Sequence, residues 1–441
     1  MRRVNAAVAA LLTVAACKDD PPKSTHPPAA SVVAPSPVVS APPPKPTRPP
    51  KDVNVLLITV DCLRADMPWA GYARPIAPNL TKLAERAVVY THAYATSSYT
   101  SMSLGGFLAG KVPGELKRDG YFFGAYAADN LFFPEVLSAA KIHTLSAHAH
   151  GYFKDAGFQQ GFDVWDIVPN LKWNNTTDEN TTGPELEALA EKQLGTVTDE
   201  QRFFAWYHFL DPHDQYMSHE GIDWGKTLRD RYDAEVTYAD RAIGKLLELV
   251  ASKPWGARTI IILTADHGES FGEHGRYMHG FELWENLIRV PLFFVVPGAE
   301  PRRIDVNRSA LDMAPTILDL FGLPKEPSFE GTSLVPEIFG ESAVERDVVV
   351  DLPQTSDNDR RRALIHGTKK LISFGMTDYL QLFDLAADPE EKSPILKGDD
   401  FDAAAGLYRA LQKTLKDVPP TSCRESCLNG GYGKAKDKDA Q

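Results

Sequence analysis

Three apolar, strand-like runs that each end in potential metal ligands constrain this chain more than any other feature. They are residues 53–60 (VNVLLITV), 203–210 (FFAWYHFL) and 259–264 (TIIILT), followed by DCLRAD, DPHD and ADHGE respectively. Near-continuous apolar runs of this length are typical of strands buried on both faces of a parallel sheet. In open α/β sheets, ligands bind outside the carboxyl ends of such strands. The three runs together predict a metal site at that edge of the sheet.

The rest of the core alternates between helical and strand-like patterns. Residues 77–87 and 233–252 carry apolar residues at helical spacing, and residues 290–296 (VPLFFVV) form a further strand-like run. After residue 325 the pattern changes to short strands and turns, with a final helix predicted over 403–415. The sequence therefore predicts an α/β fold: a large, mostly parallel central sheet with helices on both faces, and a smaller C-terminal antiparallel subdomain.

The first 51 residues predict export and a lipid anchor. Two arginines precede a short apolar stretch that ends in Val-Ala-Ala-Cys17, and this resembles a bacterial lipobox. Residues 1–17 are thus interpreted as a lipoprotein signal peptide with Cys17 as the lipidation site, and residues 18–51 as a proline-rich tether. The predicted location is the bacterial cell envelope, facing the periplasm or the surface. Lys18 after the cysteine favours the outer membrane over the inner membrane. The alternative to a lipoprotein is an ordinary signal peptide in which Cys17 has no role.

The net charge and the C-terminal tail give further information on partners and on the remaining cysteines. The net charge is −12 and no run of basic residues is longer than the three arginines at 360–362, which argues against a nucleic-acid partner. Membrane contact is expected through the lipid anchor alone. Residues 416–441 are predicted to be a flexible tail, in which Cys423 and Cys427 either form a disulfide or remain free thiols.

The candidate ligands combine carboxylates with imidazoles. In chain order they are Asp61, Thr100, Asp211, His213, Asp266 and His267, with His208, His274 and His279 nearby. This donor set suits one divalent cation, Ca²⁺, Mg²⁺, Mn²⁺ or Zn²⁺, and leaves a second cation open. Such an ion can polarise a phosphoryl or sulfuryl oxygen. His208 is interpreted as a packed strand histidine and Cys62 as a small buried residue.

Several ordered segments resemble the sulfatase family of the alkaline phosphatase superfamily. They are 54–66 (NVLLITVDCLRAD), 77–80 (APNL), 231–247 (RYDAEVTYADRAIGKLL), 264–275 (TADHGESFGEHG), 311–323 (LDMAPTILDLFGL), 331–334 (GTSL) and 382–392 (LFDLAADPEEK). The resemblance covers residues 53–415. It implies an alkaline phosphatase/sulfatase-like fold, with residues 52–325 as the catalytic domain and residues 326–415 as the C-terminal subdomain.

The same resemblance places Thr100 at the position of the nucleophile. Family sulfatases carry Cys-x-Pro-Ser-Arg before a glycine at a helix end and convert that cysteine to formylglycine. The corresponding stretch here is 100–104 (TSMSL), ten residues before Gly110, so Met102 and Leu104 replace the proline and the arginine. Threonine nucleophiles occur in phosphoryl-transferring branches of the superfamily, which favours chemistry at phosphorus. In the alternative interpretation Thr100 is only a helix N-cap.

The resemblance also implies the remaining roles. Asp61, Asp266 and His267 would bind the main metal together with Thr100. His213 and His279 would contact the anionic group of the substrate or a second metal, and His213 would protonate the leaving group. Arg64 would steady the ligand cluster or the nucleophile. Asp211 is a further candidate for substrate binding.

Three functions remain open on this evidence. The first is a hydrolase of an anionic ester: a sulfated or phosphorylated glycan, lipid or small molecule. The second is a transferase that moves a phospho-substituent between envelope lipids or glycans. The third is a degenerate sulfatase fold that binds a glycan without turnover, which the missing proline and arginine favour and the complete ligand set opposes. Residues 111–133 and 152–183 are the predicted specificity loops.

Overall fold

The computed structural model of the protein describes residues 45–172, 180–375 and 379–422. Its strands are β1 (Asn54–Val60), β2 (Val88–Tyr94), β3 (His143–His148), β4 (Val164–Ile167), β5 (Phe203–Phe209), β6 (Thr259–Ala265), β7 (Ser270–Phe271), β8 (Tyr277–Met278), β9 (Arg289–Val295), β10 (Arg302–Ser309), β11 (Val348–Leu352), β12 (Arg361–His366), β13 (Lys369–Phe374) and β14 (Tyr379–Asp384). Its helices are α1 (Pro78–Glu85), α2 (Thr100–Ala109), α3 (Phe133–Ala139), α4 (Gly183–Leu194), α5 (Leu228–Ser252), α6 (Glu285–Ile288), α7 (Met313–Leu320), α8 (Val335–Ile338) and α9 (Asp399–Gln412).

The central sheet has the predicted, mostly parallel architecture. Its strand order is β10-β2-β9-β6-β1-β5-β3-β4. β9 runs antiparallel to both β2 and β6, while the other neighbouring strands are parallel. Every residue of β1, β5 and β6 is buried, which explains their near-continuous apolar sequences. The three apolar runs that end in potential metal ligands thus form three adjacent strands, β6-β1-β5, at the centre of the sheet.

The helices that flank the sheet form two packed groups. α5 packs against α1 and α4, whereas α7 packs against α2 and α3. α5 begins with a capping box in which the Thr227 side chain accepts a hydrogen bond from the Asp230 amide. Within the described residues, no helix combines the length and the apolar character that crossing a bilayer requires.

The C-terminal part forms the predicted antiparallel sheet, in the order β11-β12-β13-β14. One face of this sheet packs against α9 through Leu364, Leu371 and Tyr408. Its other face shares a hydrophobic cluster with Tyr99 and Met102, the residues around the start of α2. α9 begins at Asp399, four residues before the predicted start, and three aspartates in its first turn complement the helix dipole. The second sheet therefore supports the segment that carries Thr100.

Three predictions lie outside the described residues. Cys17 and residues 18–44 of the predicted tether precede residue 45, and both Cys423 and Cys427 follow residue 422. The lipid anchor and the disulfide accordingly stay predictions.

Candidate active site

Asp61 and Asp266 directly follow the neighbouring strands β1 and β6, at the same position along the sheet. The register of β1 and β6 pairs Val60 with Ala265, so the next residue on each strand is an aspartate. His267 follows Asp266, and one ligand atom from each of these three buried side chains lies within 4.8 Å of the other two. The sheet register, rather than any local motif, brings the two carboxylates and the imidazole together.

A backbone contact orients the His267 ring. Its Nδ1 lies 2.9 Å from the Gly268 carbonyl oxygen, which can only accept a hydrogen bond, so Nδ1 carries the proton. Nε2 therefore presents a lone pair, 3.4 Å from Asp61 Oδ1 and 3.4 Å from Asp266 Oδ2. Burial and the nearby His279 lower the pKa of His267 to about 3, which keeps the ring neutral. A neutral imidazole held in this way is a typical metal ligand.

The cluster fits the predicted divalent cation. Asp266 Oδ2 is buried and has no hydrogen-bond partner among the described residues, although it faces the lone pair of His267 Nε2. Burial and the charge of Asp61 raise the pKa of Asp266 well above its usual range. Two buried carboxylates and an imidazole lone pair that converge in this way need a proton or a cation among them, and their donor set suits Ca²⁺, Mg²⁺, Mn²⁺ or Zn²⁺.

Thr100 reaches this cluster from the N-terminus of α2. Its Oγ1 lies 3.3 Å from Asp61 Oδ2 and 3.2 Å from His267 Nε2. The N-cap of the helix is Tyr99, and Thr100 is the first helical residue. The alternative that Thr100 serves only as an N-cap is therefore wrong, because its hydroxyl points at the ligands instead of at the helix backbone.

His213 and His279 line one side of the cluster. Their ring centroids are 5.0 Å apart, and His279 is 4.4 Å from the His267 ring. His213 Nδ1 donates to the Asp214 carbonyl oxygen at 2.6 Å, so its Nε2 is the nitrogen that remains available. Burial lowers the pKa of His279, but the charge and hydrogen bond of Glu269 outweigh that effect and raise it. Two histidines thus face the metal ligands.

Asp211 takes a structural position instead of the predicted substrate-binding one. Its Oδ1 accepts hydrogen bonds from the amides of Thr182 (3.0 Å) and Gly183 (2.9 Å), at the start of α4. The side chain is buried, and a carboxylate at a helix N-terminus satisfies amides that have no partner within the helix. This use of the carboxylate argues against the predicted role of Asp211.

Arg64 also points away from Thr100. Its guanidinium binds Asp66 through Nε (2.8 Å), and Nη1 donates to Glu273 Oε1 (2.7 Å) and the Glu269 carbonyl oxygen (2.8 Å). Direct support of the nucleophile does not fit these contacts. Support of the cluster through the Glu269 backbone stays a prediction.

Replacing Arg64 tests which of these roles it has. We expect Arg64→Met to lower the free energy of unfolding by roughly 1–3 kcal/mol, as for the loss of hydrogen bonds to a charged group. Because the guanidinium does not touch Thr100, kcat/KM should fall by less than about 10-fold. Urea unfolding and steady-state kinetics measure both. A loss of activity as large as that of a nucleophile variant, in a folded protein, would restore the catalytic role.

Two residues that the sequence interpretation left out of the site belong to its support. Glu269, fully buried, lies 3.3 Å from His279 Nδ1 and accepts a hydrogen bond from the Tyr216 hydroxyl at 3.0 Å. His208 is a buried strand histidine as predicted, yet its Nε2 also contacts Asp61 Oδ2 at 3.2 Å. Glu269 was recognisable as a charge four residues after the end of a buried strand, whereas the contact of His208 required the β1–β5 register. His274 stacks on Trp284 at 3.9 Å, away from this group.

Comparison with known proteins decides the family. The family model described as Sulfatase matches residues 53–323, and the model described as N-sulphoglucosamine sulphohydrolase, C-terminal, matches residues 272–419. The chain belongs to the sulfatase family. The predicted family and fold are confirmed, and as a family member the protein is a hydrolase of sulfate or phosphate esters.

The relatives of this sulfatase-family protein share low sequence identity with it, but the alignments cover most of both chains. It is 23% identical over 428 residues to a choline-sulfatase of Rhizobium meliloti, which covers 77% of this chain and 81% of the relative. It is 23% identical over 440 residues to an ulvan-active sulfatase of Formosa agariphila, covering 85% and 82%. The solved phosphonate monoester hydrolase of Agrobacterium radiobacter superposes with a TM-score of 0.70 at 18% identity, covering 82% and 95%. At that identity the superposition shows the shared fold.

Proposed function

We propose that this sulfatase-family hydrolase cleaves a phosphate or sulfate ester with Thr100 as its nucleophile and one divalent cation as its cofactor. The observation that carries the proposal is the position of Thr100 Oγ1, 3.3 Å from Asp61 Oδ2 and 3.2 Å from His267 Nε2. These contacts agree with the sequence resemblance, in which Thr100 corresponds to the cysteine that family sulfatases convert to formylglycine.

The side chains divide the work in the following way. Asp61, Asp266 and His267 would hold the cation, which when bound polarises the ester and increases the acidity of a neighbouring hydroxyl. Asp61 Oδ2 is placed to accept the hydrogen bond of the Thr100 hydroxyl while Oγ1 attacks the phosphorus or sulfur atom. His213 Nε2 is free to protonate the leaving oxygen, since Nδ1 is bound to the Asp214 carbonyl. His279, made more basic by Glu269, can supply positive charge to the anionic group.

The single oxygen of Thr100 favours phosphorus over sulfur. A hydrated formylglycine carries two oxygens on one carbon, so the second can expel the group bound to the first. Thr100 carries one, and an ester formed on it has to be released by attack of water at its phosphorus or sulfur atom. Phosphorus supports such displacement in many hydrolases that use a positioned cation. We therefore expect turnover of phosphorus esters to exceed turnover of sulfate esters.

A stack of aromatic side chains runs from the buried Tyr99, next to Thr100, to the exposed Phe281. The Tyr99 ring stacks on Phe122 at 4.2 Å, and Phe122 stacks on Phe281 at 6.1 Å. Tyr99 directly precedes Thr100, Phe281 follows His279 by two residues, and Phe281 is 44% exposed. These rings favour a leaving group with a flat apolar face, as aryl and sugar rings have. The specificity loop predicted over residues 111–133 supplies Phe122.

A substrate panel in water tests the proposal. The purified protein, with its metal content measured, is offered an aryl sulfate, an aryl phosphate monoester, an aryl phosphate diester and an aryl phosphonate. We expect hydrolysis of at least one phosphorus ester, at a kcat/KM above that of the sulfate. Turnover that needs an added alcohol acceptor would favour the transferase instead. A metal-loaded protein that binds these esters without turnover would favour the degenerate binding protein.

A further inference from the structure

Cys62 lies inside the donor cluster. It follows Asp61 at the carboxyl end of β1, and its side chain is fully buried. Its Sγ is 3.2 Å from Asp61 Oδ1 and 3.4 Å from His279 Nδ1. A free cysteine usually behaves as a small apolar residue in a core. The immediate neighbours of this sulfur are instead a carboxylate and an imidazole.

The sulfur shares its partners with the principal ligand group. Together with Asp61 and His213 it forms one set of atoms within 4.8 Å of one another, and together with His267 and His279 it forms another. Asp61 and His267 are also two of the three members of the principal group. The link between the two is Asp61 Oδ1, which lies 3.4 Å from His267 Nε2 and 3.2 Å from Cys62 Sγ, so a cation bound to this oxygen lies beside the sulfur.

A second observation, independent of the cysteine, points to a cation at this place. Asp266 Oδ2 is buried without a hydrogen-bond partner in the described part of the chain and faces His267 Nε2 at 3.4 Å. Because the Gly268 carbonyl holds the proton of His267 on Nδ1, Nε2 presents a lone pair to this oxygen. A carboxylate oxygen and a lone pair that face each other in a buried site need a proton or a cation between or beside them, and a bound cation takes the place of that proton.

We propose that Cys62 Sγ is a ligand of the cation held by Asp61 and His267, and that the site therefore prefers Zn²⁺ to Ca²⁺ or Mg²⁺. On coordination the S–H bond breaks, its proton passes to solvent, and the sulfur lone pair forms the bond to the metal. Thiolate and imidazole donors favour Zn²⁺, while Ca²⁺ and Mg²⁺ prefer sites built from oxygens alone. One cysteine thus changes the class of metal that the site selects.

The sulfur also makes this site chemically different from one that has an aspartate in the place of Cys62. An aspartate would give the cation another hard, anionic oxygen, whereas a thiolate gives it a softer and more covalent donor. The proposal deepens the cofactor part of the proposed function, and its tests read metal ligation without any substrate. Failure of hydrolysis and failure of sulfur ligation are therefore separate results.

The test uses the full chain loaded with Co²⁺ or Zn²⁺. Cys17→Ser, Cys423→Ser and Cys427→Ser are combined as a background in which Cys62 is the only thiol. In that background we expect Co²⁺ to give a thiolate-to-cobalt charge-transfer band in the near ultraviolet. X-ray absorption of the Zn²⁺ form should show a sulfur scatterer at about 2.3 Å in addition to nitrogen and oxygen at about 2.0–2.2 Å.

Two replacements at Cys62 complete the design. Cys62→Ser should abolish the band and lower the affinity for Zn²⁺ by at least about 10-fold, while the affinity for Ca²⁺ changes little. Cys62→Asp should reverse the preference towards Ca²⁺ or Mn²⁺. Co²⁺ and Zn²⁺ that bind the background protein with only nitrogen and oxygen neighbours would overturn the proposal. That result needs no folded Cys62 variant, so it stands even if both replacements misfold.

Discussion

Thr100→Val will lower kcat/KM for the best ester of the panel by at least about 10²-fold, the minimum expected for removal of a nucleophile. Valine keeps the branched shape of threonine and removes only Oγ1, which lies 3.3 Å from Asp61 Oδ2 and 3.2 Å from His267 Nε2. Residues 101–109 of the same helix are buried, so the fold around the substitution should persist. Steady-state kinetics and metal content are measured together, because the loss has to appear in kcat while the cation is still bound.

Two control variants separate loss of the nucleophile from a general effect of the substitution. Thr100→Ser restores the hydroxyl and should recover most of the activity. Thr196→Val makes the same chemical change at an exposed threonine whose hydroxyl donates to the Gln193 carbonyl, and it should leave kcat/KM unaltered. Activity of Thr100→Val within a factor of about 10 of the wild type would contradict the proposed role.

The sheet and the central ligands were predictable because both follow from short-range patterns. The three central strands β1, β5 and β6 were near-continuous apolar runs, and Asp61 and Asp266 stood directly after two of them. In a parallel sheet the carboxyl ends of adjacent strands meet at one edge.

The supporting residues were not predictable in this way, because their roles depend on where each side chain points and which groups it contacts. The prediction for Arg64 failed to anticipate that Asp66 and Glu273 hold the guanidinium, and the prediction for Asp211 missed the amides at the start of α4. Cys62 was correctly predicted to be buried, but burial alone does not reveal that its neighbours are Asp61 and His279. Side-chain contacts over more than 200 residues of separation, as between Cys62 and His279, are set by the assembled sheet.

Asp266→Asn will abolish stabilisation by the cation and make the metal-free protein more stable than the metal-free wild type. An amide is a poor substitute for an anionic ligand, so the gain that excess cation gives the wild type, about 2.7 kcal/mol at 100 times its Kd, should vanish. Without the cation, Asp266 is a buried carboxylate near Asp61 with an unpartnered oxygen, and an amide in its place can donate to Asp61. Relief of that unmet polar group is expected to add roughly 1–3 kcal/mol.

The stability advantage of Asp266→Asn in the metal-free protein should depend on pH in a defined direction. Burial and the charge of Asp61 raise the pKa of Asp266 in the folded protein above its ordinary value of 3.8, so the folded state favours the protonated form. The stability that Asp266 supports is therefore present at low pH and is lost as the pH rises through the folded pKa. The advantage of Asp266→Asn in the metal-free protein should accordingly be largest near neutral pH and disappear below about pH 4, which urea unfolding at several pH values measures.

Asp240→Asn provides the matched control for this prediction. Asp240 is equally buried, but its oxygens accept hydrogen bonds from the amides of Leu80 (2.8 Å) and Asn79 (3.1 Å). The same substitution there replaces an acceptor with a donor that faces donors, so it should destabilise the protein with and without the cation and leave the stabilisation by the cation intact. If the cation raises the stability of Asp266→Asn as much as that of the wild type, Asp266 is not a ligand, and the converging lone pairs of Asp266 and His267 would need another partner.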